Sequence, residues 1–240
     1  MSSNGSLDPV TLTVIWNALM SIAEELGITL RNTAFSEGVR EGDDFSTALF
    51  DRNARLVAQG NFSPGHLGSM PAVAKHVLEY FPSETLKPGD SILLNDSFLG
   101  SGHFPDTFQV MPVFVDGTMV GIVACSAHQV DMGGAAPGSQ QVHGITEAFQ
   151  EGLRILPVRF VRGGEIQEDI LRLVLGNVRM ADKVRGDLLA QHTANLTAAA
   201  RLEQLFRDYG AETVGRAYEV FLDRSEQTMR AALAKVPAGR

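Results

Sequence analysis

A single cysteine, Cys125, in 240 residues rules out an intramolecular disulfide framework and fits a reducing compartment. No apolar run approaches the roughly 20 residues that a membrane span requires. Residues Met1 to Ser6 carry neither the basic start nor the apolar core of a signal peptide, so a cytoplasmic location is expected. Basic runs are missing too. Lys and Arg number 20 against 28 Asp and Glu, and the net charge of −8 argues against a nucleic-acid partner. No Gly-x4-Gly-Lys-Ser/Thr pattern occurs, and the pairs Gly133-Gly134 and Gly163-Gly164 are not phosphate loops, so no nucleotide site is expected within the chain. There is no internal repeat and no low-complexity tract. What is present is ordinary for a soluble globular protein: 44% apolar and 20% charged residues, enough chain for one large domain or two small ones.

Asp8-Pro9 is a helix start, a carboxylate N-cap followed by proline at the first helical position. Val10, Val14, Ala18, Leu19, Ile22 and Leu26 recur at helical spacing, which predicts a helix over Pro9–Arg31. A polar loop over Glu37–Asp44 follows, then two short strands, Ser46–Phe50 and Arg55–Ala58, around the turn-forming Asp51-Arg52-Asn53. After the loop Ser63–Gly68 a helix is predicted over Met70–Tyr80, closed by Pro82. Lys87–Asp90 is a turn and Ser91–Asn95 a strand. Met132–Gly144 is a glycine- and proline-rich loop of functional length. Arg154–Arg162 reads as a strand ended by Gly163-Gly164, and helices are expected over Gln167–Leu175, Met180–Tyr209 and Ala211–Leu233. The fold class is therefore α+β: a mixed strand–helix region over residues 1–163 containing an antiparallel hairpin, followed by a helical region over 164–240 that packs on it.

The hairpin carries the chemistry. Val115-Asp116-Gly117-Thr118 is a tight Asp-Gly turn between long β-prone runs. A two-residue loop sets Val115 opposite Thr118, Val110 opposite Val123 and Phe108 opposite Cys125. Phe108, Val110, Phe114, Met119, Val123 and Cys125 then share one core face, and Val113, Val120, Ile122, Ala124 and His128 share the other. Pro112 marks an edge position or a bulge. Extended outward, this register puts His128 across from Pro105 and Val130 across from His103, so the two histidines are diagonal neighbours within reach of one ion. Asp106 falls on the opposite face unless the chain kinks at Pro105. With Asp131 this makes a mixed N/O ligand set, better suited to Zn²⁺, Mn²⁺ or Fe²⁺ than to Ca²⁺, and a set with an open position suits catalysis. The plainer reading is that strand-end histidines bind backbone carbonyls and that Asp106 caps a turn.

Other residues carry weaker signals. Glu41, Asp43 and Asp44 form an acidic cluster that reads as a solvated loop, though any one could complete a metal shell. His66, in Pro-Gly-His-Leu-Gly, is a candidate substrate contact whose default is exposure. Asn95-Asp96 caps a turn, His76 and His192 read as surface residues on helices, and Cys125 reads as a small buried hydrophobe.

Several of these stretches occur together in one pattern. They are Asp8-Pro9-Val10, Asp44-Phe45-Ser46 with Ala48-Leu49-Phe50, His66-Leu67-Gly68-Ser69-Met70, Leu94-Asn95-Asp96 and His103-Phe104-Pro105-Asp106. Ala127-His128, Asp131-Met132-Gly133-Gly134, Pro137-Gly138-Ser139, Glu151–Ile155, Val161–Gly164 and Asn177-Val178-Arg179 continue it in order. With them the chain resembles the hydantoinase B family, which holds the B-type subunits of ATP-dependent hydantoinases and 5-oxoprolinases and related subunits of acetone-type carboxylases. The resemblance implies an A-type partner that binds ATP and phosphorylates the substrate, while the B-type subunit holds one divalent metal, zinc or manganese. Carried onto this chain, the implied ligands are His103, Asp106 and His128 with Asp44, or failing that Glu41, in fourth place. Asp131 becomes an outer or alternative ligand, and a kink at Pro105 is implied.

Three departures from the family pattern stand out. His128-Gln129 replaces two adjacent histidines, Gly100-Ser101-Gly102 replaces Gly-Gly-Thr, and the chain is shorter than the family's usual length. It is thus expected to be a short or split member or an N-terminal portion. Apolar Val214, Phe221 and Met229 are then expected to be exposed and to associate with a second chain. The expected function is the B-type subunit of an amidohydrolase acting on a phosphorylated lactam or hydantoin. Rival readings are an acetone-type carboxylase subunit with a ketone substrate, an assembly subunit with a structural metal, and a stand-alone metal hydrolase.

Overall fold

The fold is taken from a computed structural model of the protein, which describes residues 7–100, 102–141 and 143–236. Ser101 of the glycine-rich turn lies outside the described residues. Helix α1 spans Pro9–Thr33, where Asp8 accepts hydrogen bonds from the Val10 and Thr11 amides at 3.1 and 2.9 Å. Its inward stripe is Leu12, Ile15, Leu19, Ile22, Leu26 and Leu30, at steps of three or four residues. Val10 and Val14, expected on that stripe, are exposed, because this continuous row outcompetes theirs for the core.

Seven antiparallel strands follow in the order β2-β1-β5-β4-β3-β6-β7. They are β1 Phe45–Asp51, β2 Leu56–Gln59, β3 Ser91–Leu94, β4 Asp106–Val115, β5 Thr118–His128, β6 Val158–Arg162 and β7 Glu165–Ile166. On one face lie α1, α5 (Ala181–Tyr209) and α6 (Ala211–Leu233), packed against Phe45, Leu49, Met111, Val113, Val120, Val123 and Cys125. On the other lies α3, Met70–Tyr80, packed against Phe50, Ile92, Phe108, Val110, Ile122 and Ala124. A third cluster joins α4, Glu168–Leu175, to β6 and the start of α5. The fold is α+β.

The Asp116-Gly117 turn forms as expected, with Val115 opposite Thr118. The register beyond it does not. A bulge makes Val120 an extra residue in β5, so Phe114 pairs with Met119 but Val113 pairs with Gly121. Because side chains alternate with period two, this single residue reverses the facing of every later position on β5. Val123 and Cys125 therefore pack under α1 and α5, whereas Ile122, Ala124 and His128 share the α3 face with Phe108. Pro112 sits beside the bulge and beyond the last pairing with β3, where its missing N–H breaks no ladder on that side.

Other boundaries differ for local reasons. Glu37–Arg40 is a helical turn, α2, anchored by buried Val39 and by Asp187, whose carboxylate accepts from the Phe35 and Ser36 amides at 2.6 and 3.1 Å. β6 starts only at Val158. Pro157 has no N–H to give, and Ile155 instead exchanges hydrogen bonds with Asn95 through its amide and carbonyl. Gly163-Gly164, both at positive φ, does not merely end β6 but turns it into β7, so residue 163 lies inside a hairpin. Val214 and Phe221, expected to be exposed, are buried on the inner face of α6, and only Met229 of the three faces solvent.

Candidate metal centre

The bulge decides the site. It brings Asp106 directly opposite His128 as the last pair of the β4–β5 ladder, both on the α3 face. A kink at Pro105 is not needed to bring the two together; eight residues before His128, the bulge at Val120 has already moved His128 to the face that Asp106 shares with Phe108. His103 does not pair with Val130. It lies in the turn leading into β4, where the Asp106 amide bonds back to the His103 carbonyl at 3.3 Å. From there its ring reaches over the strand end.

Three ligand atoms converge. His103 Nε2 and His128 Nδ1 lie 2.9 and 3.1 Å from Asp106 Oδ1, and 3.1 Å from each other. Donors held about 2.0–2.2 Å from one ion sit about 3 to 3.5 Å apart, so the triangle matches one face of a coordination shell. Two imidazoles and a carboxylate also fit the chemistry of Zn²⁺ or Mn²⁺. The residues fit a metal.

His66 is not exposed, contrary to the default for a loop histidine. It is buried, with Nε2 3.2 Å from the second oxygen of Asp106 and Nδ1 3.2 Å from Ser46 Oγ. A hydrogen bond of this kind on the free oxygen is what would orient the carboxylate toward an ion. Burial alone would push Asp106 up, but hydrogen bonds from His103, His128 and His66 overcome it and hold the carboxyl well below the usual range. His103 is shifted upward, first by its bond to Asp106 against the opposing effect of burial, and further by the charges of Asp106, Glu151 and Asp44.

The acidic 41–44 segment divides. Asp43, at φ 50°, forms a two-pronged pair with Arg31 of α1 at 2.6 and 2.7 Å. That anchor sets Asp44 beside the cluster, where its carbonyl accepts the His128 amide at 3.0 Å. The Asp44 carboxylate is outside the converging trio, and Glu41 is exposed at the end of α2. Asp131 is fully buried elsewhere: it accepts from Gly133 N and Arg179 Nη1 at 2.9 and 3.0 Å and from the Arg179 and Met180 amides. It clamps the loop after β5 to the start of α5 and is not brought to the histidines. That loop passes close to the cluster, since a Cβ on Gly138 (φ 58°) would lie 3.4 Å from His128 Nε2.

A sequence model described as hydantoinase B/oxoprolinase matches residues 8–240. The chain belongs to the hydantoinase B/oxoprolinase family. Within that family it is 35% identical over 234 residues to the beta subunit of caprolactamase from Pseudomonas jessenii, covering 98% of this chain and 40% of that one. It is 31% identical over 236 residues to the B subunit of a putative D-/L-hydantoinase from a Pseudomonas species, with 97% and 40% covered. The crystal structure of ATP-dependent caprolactamase from P. jessenii superposes with a TM-score of 0.89 at 33% identity, over 98% of this chain and 40% of that chain. A nucleotide-free acetone carboxylase structure shares the fold, with a TM-score of 0.82 at 21% identity over 89% and 28%. The chain thus spans about two-fifths of the length of the two curated relatives. None of its helices, among the described residues, is long and apolar enough to cross a membrane.

Two residues at the candidate site carried no functional signal in the sequence. Ser46 is a strand residue whose contact with His66 depends on tertiary placement, and Glu151 accepts the Phe104 amide at 3.2 Å from a distant loop. Gln129 follows His128. Its side chain points away from His128, toward α5.

Proposed function

We propose that this chain is the metal-holding region of a B-type subunit in an ATP-dependent cyclic-amide hydrolase. In this reading it processes a phosphorylated lactam or hydantoin made by an A-type partner, which alone binds ATP. The observation that carries the reading is the convergence of His103, Asp106 and His128. Relatives named as caprolactamase and hydantoinase subunits at 31–35% identity favour a hydrolase over the more distant carboxylase.

His103 Nε2, Asp106 Oδ1 and His128 Nδ1 would hold one divalent ion, zinc or manganese, with Asp44 the fourth ligand of choice. When bound, the ion supplies Lewis-acid polarisation of a substrate oxygen or a water acidified for attack. His66 keeps Asp106 oriented by occupying its other oxygen, and Ser46 keeps His66 oriented in turn. His103 is the most exposed of the three ligands, so substrate approaches from its side. The loop around Gly138 shields the outer edge of His128 from water.

Elemental analysis of the purified chain, and turnover of the complex reconstituted with its ATP-binding partner, test the proposal. His103→Ala or His128→Ala should remove both bound metal and turnover. Full turnover together with unchanged metal would overturn it. Chelation that lowers the melting temperature and dissociates the complex would favour a structural ion, whereas a catalytic ion should cost mainly turnover.

A further inference from the structure

Behind the cluster, on the opposite face of the same strands, lies a polar network that the proposed chemistry does not use. Asp187, Gln191 and Asn195 follow one another at four-residue steps along α5, and all are fully buried. Each unmet hydrogen bond in such a stripe costs the desolvation of the group, and Asp187 Oδ2 and Asn195 Oδ1 have no partner. Gln191 meets its own. Its Nε2 donates to the Thr107 carbonyl at 2.9 Å, and its Oε1 accepts from Thr107 Oγ1 at 2.9 Å and from Gln129 Nε2 at 3.3 Å. Gln129 Nε2 also donates to Thr107 Oγ1 at 2.9 Å.

Thr107 follows Asp106 and Gln129 follows His128. Alternation along a strand turns these two inward to α5 while their neighbours face the metal site. The Asp106–His128 pair closes the ladder, and beyond it the chain is held by the Gln129 amide donating to Pro105 at 2.8 Å. A ladder end frays unless something outside it holds both strands. One side chain, Gln191, grips both.

We propose that Gln191 is the positioning residue of the metal centre, setting the separation of Asp106 and His128 from the rear of the sheet. This rests on the reading of the cluster as a metal site. The comparison residue is Asn195, one turn further along α5, whose amide donates to the Gln109 carbonyl at 3.0 Å and so holds β4 away from the ligand pair.

The test compares Gln191→Met with Asn195→Leu. Zn²⁺ and Mn²⁺ affinities are measured by chelator competition well below the melting temperature, and exchange of the Gln129 amide is followed in metal-free protein. Gln191→Met should weaken metal binding by about ten-fold or more, as loss of an outer support does. Asn195→Leu should lower the melting temperature but leave affinity within about two-fold. Thr107→Val, which removes only the hydroxyl that Gln191 accepts from, should weaken binding in the same direction and serves if Gln191→Met does not fold. Unchanged affinity in the Gln191 or Thr107 variant, or equal loss in Asn195→Leu, would overturn the proposal. If the wild type takes up neither ion, the metal reading fails on its own. The positioning role then stands only if Gln191→Met, and not Asn195→Leu, speeds Gln129 exchange about ten-fold, and falls if it does not.

Discussion

Replacing Asp106 with Asn keeps the shape of the side chain and removes the charge on which three histidines converge. The carboxylate is 5% exposed and touches His103, His128 and His66 at 2.9, 3.1 and 3.2 Å. Each hydrogen bond to a charged group contributes about 1.5–3 kcal/mol, but burial of the charge subtracts from the sum, leaving about 3 kcal/mol for the whole arrangement. At about 2–4 °C per kcal/mol for a chain of this size, Asp106→Asn should melt about 6–12 °C lower without metal. Asp106 lies below its ordinary 3.8 when folded, so its contribution is present above 3.8 and is lost as pH falls through the lowered value. His103 lies above its ordinary 6.5, so its share is full below 6.5 and is lost as pH rises through the raised value. The difference between wild type and Asp106→Asn should therefore peak between about pH 4 and 6.5. Urea unfolding with chelator present, followed by the fluorescence of Trp16 against Phe221, measures it at each pH. A difference below about 0.5 kcal/mol at pH 5.5, or one that keeps growing above pH 8, would refute the reasoning, since neither is compatible with a buried Asp106–imidazolium pair.

Metal uptake must displace the proton that Asp106 favours on His103, so calorimetry in buffers of different ionisation enthalpy should show proton release, with affinity rising from pH 6 to 8. Affinity independent of pH would count against His103 as a ligand. His192, expected at the surface, is buried on α5, and burial pushes it down, so its neutral form is required by the fold. Its contribution is present above 6.5 and lost as pH falls below it, and His192→Leu should flatten the wild-type fall in stability between pH 6.5 and 5. Cys125 is fully buried, and burial pushes its thiol up to about 12. An aromatic disulfide reagent at pH 8 should react only at the rate of unfolding, and fast stoichiometric labelling of folded protein would contradict the packing.

Most elements were legible because their signals are local. Asp8-Pro9 starts α1, Asp116-Gly117 turns the hairpin, and Gly210 separates α5 from α6, each through backbone preferences that need no distant partner. The helices after residue 167 appear within a residue of expectation for the same reason. His103, Asp106 and His128 were also named as candidates from their order in the chain. The facing of their side chains was not legible. Pro112 and Gly121 flank the bulge, but neither says that Val120 is the residue left unpaired, which depends on how β5 fits β1 on one side and β4 on the other. His66, a candidate contact whose default was exposure, and Gln191, which no motif marked, join the site across 40 and 84 residues of sequence from Asp106 and Thr107. The sequence by itself determined which residues are candidates to hold a metal and where the hairpin turns. Only the tertiary structure decided that Asp106 faces His128, because strand parity is set by one unpaired residue and is read out eight residues away.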